Sequence, residues 1–177
     1  MKNKFYYFCK TLNDKIKKNI LKFSNISLVF YNSSPKSSSQ ELNQISSFCK
    51  KHNIPFYIYN NYQLAVKIKA QGIYLDSHNR NFKHLSSTKL KIIGSAHNQL
   101  EYFNKLQQGC DLIMLSPFFF NIKYSKNKVI GPIKFNLMTT HWKTKAGALG
   151  GLRKENIKKL IFLNSKNFGG ISFIEDL

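Results

Sequence analysis

Short apolar runs alternate with amphipathic stretches from one end of the chain to the other. Residues 5–9 (FYYFC), 27–31 (SLVFY), 55–59 (PFYIY), 72–75 (GIYL), 91–95 (KIIGS), 111–115 (DLIML), 146–149 (AGAL) and 170–174 (GISFI) read as strands. Between them, residues 15–23, 40–52, 62–70, 99–107 and 155–163 place apolar side chains every three or four positions, which predicts helices. Ile16, Ile20, Leu21 and Phe23 fall largely on one face, as do Ile157, Leu160, Ile161 and Leu163. Alternating strand and helix implies parallel strands joined by crossovers, and about eight strands are what a closed (β/α)8 barrel needs. The strands are nearly all apolar, as strands buried on both faces should be.

At 177 residues the chain is one domain, 1–177, smaller than the about 250 residues of a typical barrel. The last strand ends three residues before Leu177, so the final helix is expected to be missing. A neighbouring subunit covering that groove would make the protein a homodimer. No apolar stretch approaches a membrane span, and the start MKNKFYYFCK lacks a signal-peptide core. Cys9, Cys49 and Cys110 stand far apart, which suits reduced thiols in the cytoplasm and offers no metal site.

The net charge of +20, with 28 basic against 8 acidic residues, raises nucleic-acid binding as a reading. Against it, only Arg80 and Arg153 are arginines, the side chain that grips phosphates and bases in bidentate fashion. The lysines are scattered among Asn, Ile and Phe, as an AT-rich coding bias would write them, and nucleic acid is the weaker partner.

The stretch KAGALGGLRKEN (145–156) sets Gly150 and Gly151 where a strand is expected to hand over to a helix. Adjacent glycines let backbone N–H groups approach a phosphate near a helix N-terminus, although a tight turn uses the same pair.

Three segments together resemble the thiamine phosphate synthase and thiazole tautomerase (TenI) superfamily. They are IPFYIYNNYQLAVKIKAQGIYLDSHN (54–79), with Leu64, Ala65, Ala70, Gly72 and Ile73; IIGSAHNQLEYFNKLQQGCDLIMLSPFF (92–119), with Ser95, His97, Gly109, Asp111, Ser116 and Pro117; and ALGGLRKEN (148–156). The resemblance implies a compact TIM barrel, with Gly150 and Gly151 holding a phosphate. It implies the joining of a pyrimidine diphosphate to a thiazole phosphate, with Mg²⁺ assisting departure of the diphosphate. Asn60 and Asn61 would line the pyrimidine or metal side, and Ser95, Asn121 and Lys123 the opposite wall. His97 and Asp76 are the catalytic candidates, and Asp76 is the candidate Mg²⁺ ligand.

The chain departs from the family pattern at several anion and metal positions. Where the family has an Asn-Asp pair after strand three this chain has Tyr59-Asn60, and Asn79 stands for an aspartate after strand four. Asn32, Ser33, Ser34 and Lys36 occupy the region of the diphosphate-gripping Gln-x-Arg-x-Lys, and Pro117 stands where the tautomerases carry a histidine. Beyond the eighth strand, Glu175 and Asp176 are expected either at the phosphate cup, repelling an anion, or in a solvated tail turned away. Phe118-Phe119-Phe120 either sandwich a flat ring or cover the barrel. Thiamine phosphate synthesis, in biosynthesis or salvage, is therefore the leading reading. A tautomerase-like or noncatalytic barrel that binds a thiazole or pyrimidine compound, or a partner protein, is the alternative.

Overall fold

The computed structural model describes residues 2–31, 39–82, 90–120, 129–171 and 174–175. Eight parallel strands, β1 (Lys4–Cys9), β2 (Ile26–Phe30), β3 (Phe56–Tyr59), β4 (Gly72–Leu75), β5 (Lys91–Ala96), β6 (Leu112–Leu115), β7 (Lys145–Leu152) and β8 (Asn167–Ile171), close into a barrel in chain order. Closure is made by β8 on β1, in register from Lys4↔Asn167 to Tyr6↔Gly169. Helices α1 (Asp14–Leu21), α2 (Ser39–Lys51), α3 (Tyr62–Lys67), α4 (Gln99–Gln107) and α5 (Gly131–Thr139), with a 3₁₀ segment at Ile157–Phe162, pack outside. This is the (β/α)8 TIM barrel that the alternating pattern implies. Among the described residues, no helix is long and apolar enough to cross a membrane.

Strand alternation divides the core in two. Tyr6, Val29, Tyr57, Tyr74, Ile93, Leu112 and Met114 fill the barrel, with Phe8, Tyr59 and Leu149 against them. Leu28, Ile58, Ile73, Ile113 and Phe168 point outward to meet Ile20, Ile45, Ala65 and Phe135 from the helices. Asparagines start three helices: the side chains of Asn13, Asn61 and Asn98 accept from the N–H groups of Ile16, Leu64 and Glu101 at 2.8, 2.9 and 2.9 Å.

Three elements differ from the sequence reading. The eighth strand starts at Asn167 instead of 170, because Phe168 is needed in the outer shell and a side chain at Gly169 would collide with Leu149 and Met114 inside. Within residues 155–163 only Ile157–Phe162 is helical, as a 3₁₀ segment whose threefold repeat aligns Ile157 and Leu160 with Leu163 just beyond it, leaving Ile161 exposed. Helix α5 has no apolar stripe to reveal it: Phe135 is buried while Ile133 and Leu137 face solvent.

The tail after β8 lies beside α1. Ile174 is fully buried, and its carbonyl accepts from Asn19 Nδ2 at 2.9 Å. Lys15 Nζ donates to the Glu175 carbonyl, and the Tyr7 hydroxyl donates to Glu175 Oε1, both at 2.9 Å. Tyr7 belongs to the outer shell, so the Glu175 carboxylate sits outside β1 and away from the barrel mouth. Asp176 lies outside the described residues.

Candidate active site

In barrels of this kind chemistry is done by loops at the C-terminal ends of the strands. Three sectors of that rim carry the residues singled out in the sequence.

The first sector joins the ends of β3 and β4. Asp76 Oδ1 accepts from the N–H groups of His78 and Asn79 at 3.1 and 2.8 Å, and Oδ2 accepts from the Tyr59 hydroxyl at 2.8 Å. Asn60, at φ 50°, turns its Oδ1 to the Asp76 N–H at 3.1 Å and to Asn79 Nδ2 at 3.2 Å. Partial burial pulls the Asp76 carboxyl upward, but its contacts with Tyr59, Asn60, the Asn79 N–H and His78 outweigh it and hold the group below the usual range. Asn61 faces α3, where its oxygen is the helix cap. Behind this sector Lys105 is fully buried and donates to the Asn79 carbonyl and to Gln108 Oε1, both at 2.9 Å. Gln108 Nε2 reaches the Asn79 carbonyl at 3.2 Å and the Asn81 carbonyl at 3.0 Å, so Lys105 of α4 and Gln108 at its C-terminal cap tie down the β4 loop.

The second sector joins β5 and β6. Ser95 is buried, in phase with the inward-facing Ile93. His97 opens α4: its backbone N–H donates to Glu101 Oε2 at 2.7 Å, and its ring Nδ1 lies 2.8 Å from the Ser116 carbonyl. A neutral imidazole in this contact carries its proton on Nδ1 and its lone pair on Nε2. Phe118 and Phe119 are buried, Phe118 stacking edge-on against Phe135 of α5, so these two rings cover the barrel. Asn121 and Lys123 lie outside the described residues, as does the region of Asn32, Ser33, Ser34 and Lys36.

The third sector joins β7 and β8. Gly150 and Gly151 lie inside β7, not at a handover to a helix, and the pairing with β8 shifts register between Leu149 and Leu152. Both take positive φ, 94° and 72°, and Gly170 of β8 does the same at 70°. A side chain at Gly151 would strike the Phe119 carbonyl, and one at Gly170 would stand 3.1 Å from the N and Cα of Gly150. Phe118 and Phe119 N–H groups bond to the Leu149 and Gly150 carbonyls at 2.9 and 3.1 Å. Asn156 braces the bulge, donating to the Gly151 carbonyl at 2.7 Å and accepting from the Arg153 N–H at 2.9 Å. The result is a stretch where three residues at the adjoining ends of β7 and β8 carry no side chains of their own, and successive backbone N–H groups in such conformations can face an anion.

Sequence reasoning missed Gly170, because a strand drawn three residues late put the glycine pair at its start instead of its end. Tyr59 and Tyr74 were legible as aromatic surface, but Phe8 and Tyr31 beside them were not: Phe8 meets Tyr74 at 4.9 Å, Tyr59 stacks on Tyr74 at 5.5 Å, and Tyr31 lies 6.2 Å from Tyr59. Lys10 Nζ sits 5.2 Å above the Tyr31 ring. The alternation of aromatics along β3 was the available signal for Tyr59.

The donors present fit Mg²⁺ poorly. Among the described residues no three His, Cys, Asp or Glu side chains converge, and both oxygens of Asp76 are already engaged, Oδ1 by the β4 loop and Oδ2 by the Tyr59 hydroxyl of β3.

The closed ring of eight parallel strands, with three positive-φ glycines at the adjoining ends of β7 and β8, defines a TIM barrel. The thiamine monophosphate synthase family model matches residues 10–177, and the chain belongs to that family. It is 29% identical over 143 residues to the thiamine-phosphate synthase of Prochlorococcus marinus strain AS9601, covering 78% of this chain and 39% of that protein. A second Prochlorococcus marinus thiamine-phosphate synthase, of subspecies pastoris, matches at 29% over 134 residues, 74% of this chain and 38% of the relative. The chain thus spans about two-fifths of the length of these relatives. Among solved structures, thiamine phosphate pyrophosphorylase from Pyrococcus furiosus superposes with a TM-score of 0.74 at 17% identity, covering 96% of this chain and 85% of that one.

Proposed function

We propose that this chain joins a pyrimidine diphosphate to a thiazole phosphate, making thiamine phosphate in thiamine biosynthesis or salvage, in the cytoplasm. The observation that carries the reading is the side-chain-free rim of Gly150, Gly151 and Gly170, three positive-φ residues at the adjoining ends of β7 and β8. Membership of the family and the position of that rim at the catalytic pole support a phosphate there. In this reading backbone N–H groups of the β7 and β8 ends hold the monophosphate of the thiazole. Ser95 and His97 line one wall. Asn60 lines the other wall, shaped by Asp76. A C–N bond forms as the C–O bond to the diphosphate breaks and the diphosphate leaves.

Thermal stabilisation tests the reading. Hydroxyethylthiazole phosphate at 100 times its dissociation constant should add about 2.7 kcal/mol of stability. The unphosphorylated alcohol at the same concentration should add far less. Equal effects, or none, overturn the phosphate assignment.

One observation favours a second reading. His97, bonded through Nδ1 to the Ser116 carbonyl, is arranged to take a proton on Nε2, as a tautomerase requires. Exchange of a thiazole substrate's C–H proton with deuterium in solvent, without any diphosphate, would select that reading. Ligand binding without exchange or coupling would select the noncatalytic one.

A further inference from the structure

The opposite pole of the barrel carries a cavity of about 230 Å³. It is lined by the first residues of four strands, Lys4 of β1, Lys91 of β5, Lys145 of β7 and Asn167 of β8, and floored by Tyr6 and Tyr57. Among the described residues none of the three ammonium groups makes a salt bridge. Lys4 leans over the Tyr6 ring at 5.3 Å. Burial first, then the charges of Lys91 and Lys145, push the Lys4 ammonium down, so the three cations feel one another. Asp111 is the one carboxylate on the lining, and its Oδ2 accepts from the Ile92 N–H at 2.8 Å. Three cations against one anion leave the cavity positive, and burial keeps the Tyr6 and Tyr57 hydroxyls protonated as donors.

We propose that this pole is an anion site, separate from the catalytic rim, that binds a phosphate-class anion of phosphate to diphosphate size through Lys4, Lys91 and Lys145, with Tyr6, Tyr57 and Asn167 as neutral donors. The size follows from the cavity, which is below the roughly 300–1,000 Å³ of pockets for drug-sized ligands. The class follows from the donors: lysines are point charges suited to a compact, multiply charged oxyanion. A bound anion relieves the repulsion among the three lysines, which gives binding a source of energy that a neutral ligand lacks.

The test is a titration of the labelled protein with inorganic phosphate and with pyrophosphate at fixed ionic strength, read by backbone amide chemical shifts. The site requires saturable shifts at Lys4, Lys91, Lys145 and Asn167, with pyrophosphate tighter than phosphate. The Lys91→Gln, Lys145→Gln double variant should weaken that response at least tenfold while any shifts at Gly150, Gly151 and Gly170 persist. Lys91 and Lys145 are exposed, and Lys145→Gln alone, expected to weaken it severalfold, serves if the double variant does not fold. Shifts confined to the glycine rim, an unchanged dissociation constant in the variants, or an equal response to chloride would each overturn the site. Because the two poles are read at different residues, loss of the base site leaves the rim assignment standing, and the reverse.

Discussion

A β-carbon on Gly170 would stand 3.1 Å from both the nitrogen and the Cα of Gly150, across the junction of β8 and β7. At that separation Gly170 has little room for a side chain on the side facing Gly150. Gly170→Ala is therefore expected to crowd the backbone at the proposed phosphate position. At φ 70° it also costs about 1–2 kcal/mol of backbone strain. Titration with hydroxyethylthiazole phosphate should show binding weakened at least tenfold in a protein that still melts cooperatively. Unchanged affinity would remove Gly170 from the site.

Gly151 plays a different part. Its position against the Phe119 carbonyl pins the β6 loop onto β7, and a methyl group there meets backbone that cannot turn aside. Gly151→Ala should lose about 2–4 kcal/mol in denaturant unfolding, combining left-handed strain with a steric clash. A loss below about 0.5 kcal/mol would show that the loop moves freely. Because this variant strikes the fold, it is a poor probe of phosphate binding.

The acid limb of stability should report Asp76. Its folded carboxyl lies below the unfolded value of 3.8, so its contribution is present above that pH and is lost as pH falls through the folded value. Tyr59→Phe removes one of the three hydrogen bonds accepted by the carboxylate and should cost about 1 kcal/mol at neutral pH. The difference from wild type should shrink below pH 3.8. A gap that stays constant from pH 7 to pH 2 would assign the effect to packing of the ring instead.

At alkaline pH the sign reverses. Burial is the main cause raising Tyr6, Tyr7, Cys9, Cys49, Tyr57 and Cys110, with Cys49, Tyr57 and Cys110 pushed up to about 12. Their contribution is complete below the unfolded values of 9.0 for Cys and 10.0 for Tyr, and it drains away as pH rises through the folded values. Lys4 and Lys105, lowered by burial, act in the opposite sense, but they are two groups against six. Unfolding free energy should therefore fall from about pH 9 upward. In the native state at pH 8 a thiol reagent should leave Cys9, Cys49 and Cys110 unlabelled, since all three are buried. Rapid labelling of any of them without unfolding would contradict the packing.

What could be read in the sequence followed from periodicity. Strand β4 has the expected bounds, and most other strands lie within a residue or two, because buried parallel strands are nearly continuous apolar runs. The glycine pair at 150–151 and the polar cluster at 60–79 were visible as well. Gly170 was not, since the apolar run ISFI outweighed NFGGI, whose glycines reflect a crowded barrel interior that no local pattern reveals. Lys105 was invisible for a related reason: the space for its buried chain comes from Gly94, where a β-carbon would lie 2.9 Å from Lys105 Cδ. The position of Glu175 outside β1 depended on its partner Tyr7, 168 residues away in sequence.

The proposed synthesis of thiamine phosphate at the rim of this barrel can be followed directly. The most direct measurement incubates the purified protein with hydroxyethylthiazole phosphate and the pyrimidine diphosphate, Mg²⁺ supplied, and follows thiamine phosphate and released pyrophosphate together. Equimolar appearance of both products, sharply reduced in Gly170→Ala, is the expected result. Neither product from a folded protein that also fails to bind the thiazole phosphate would contradict the account.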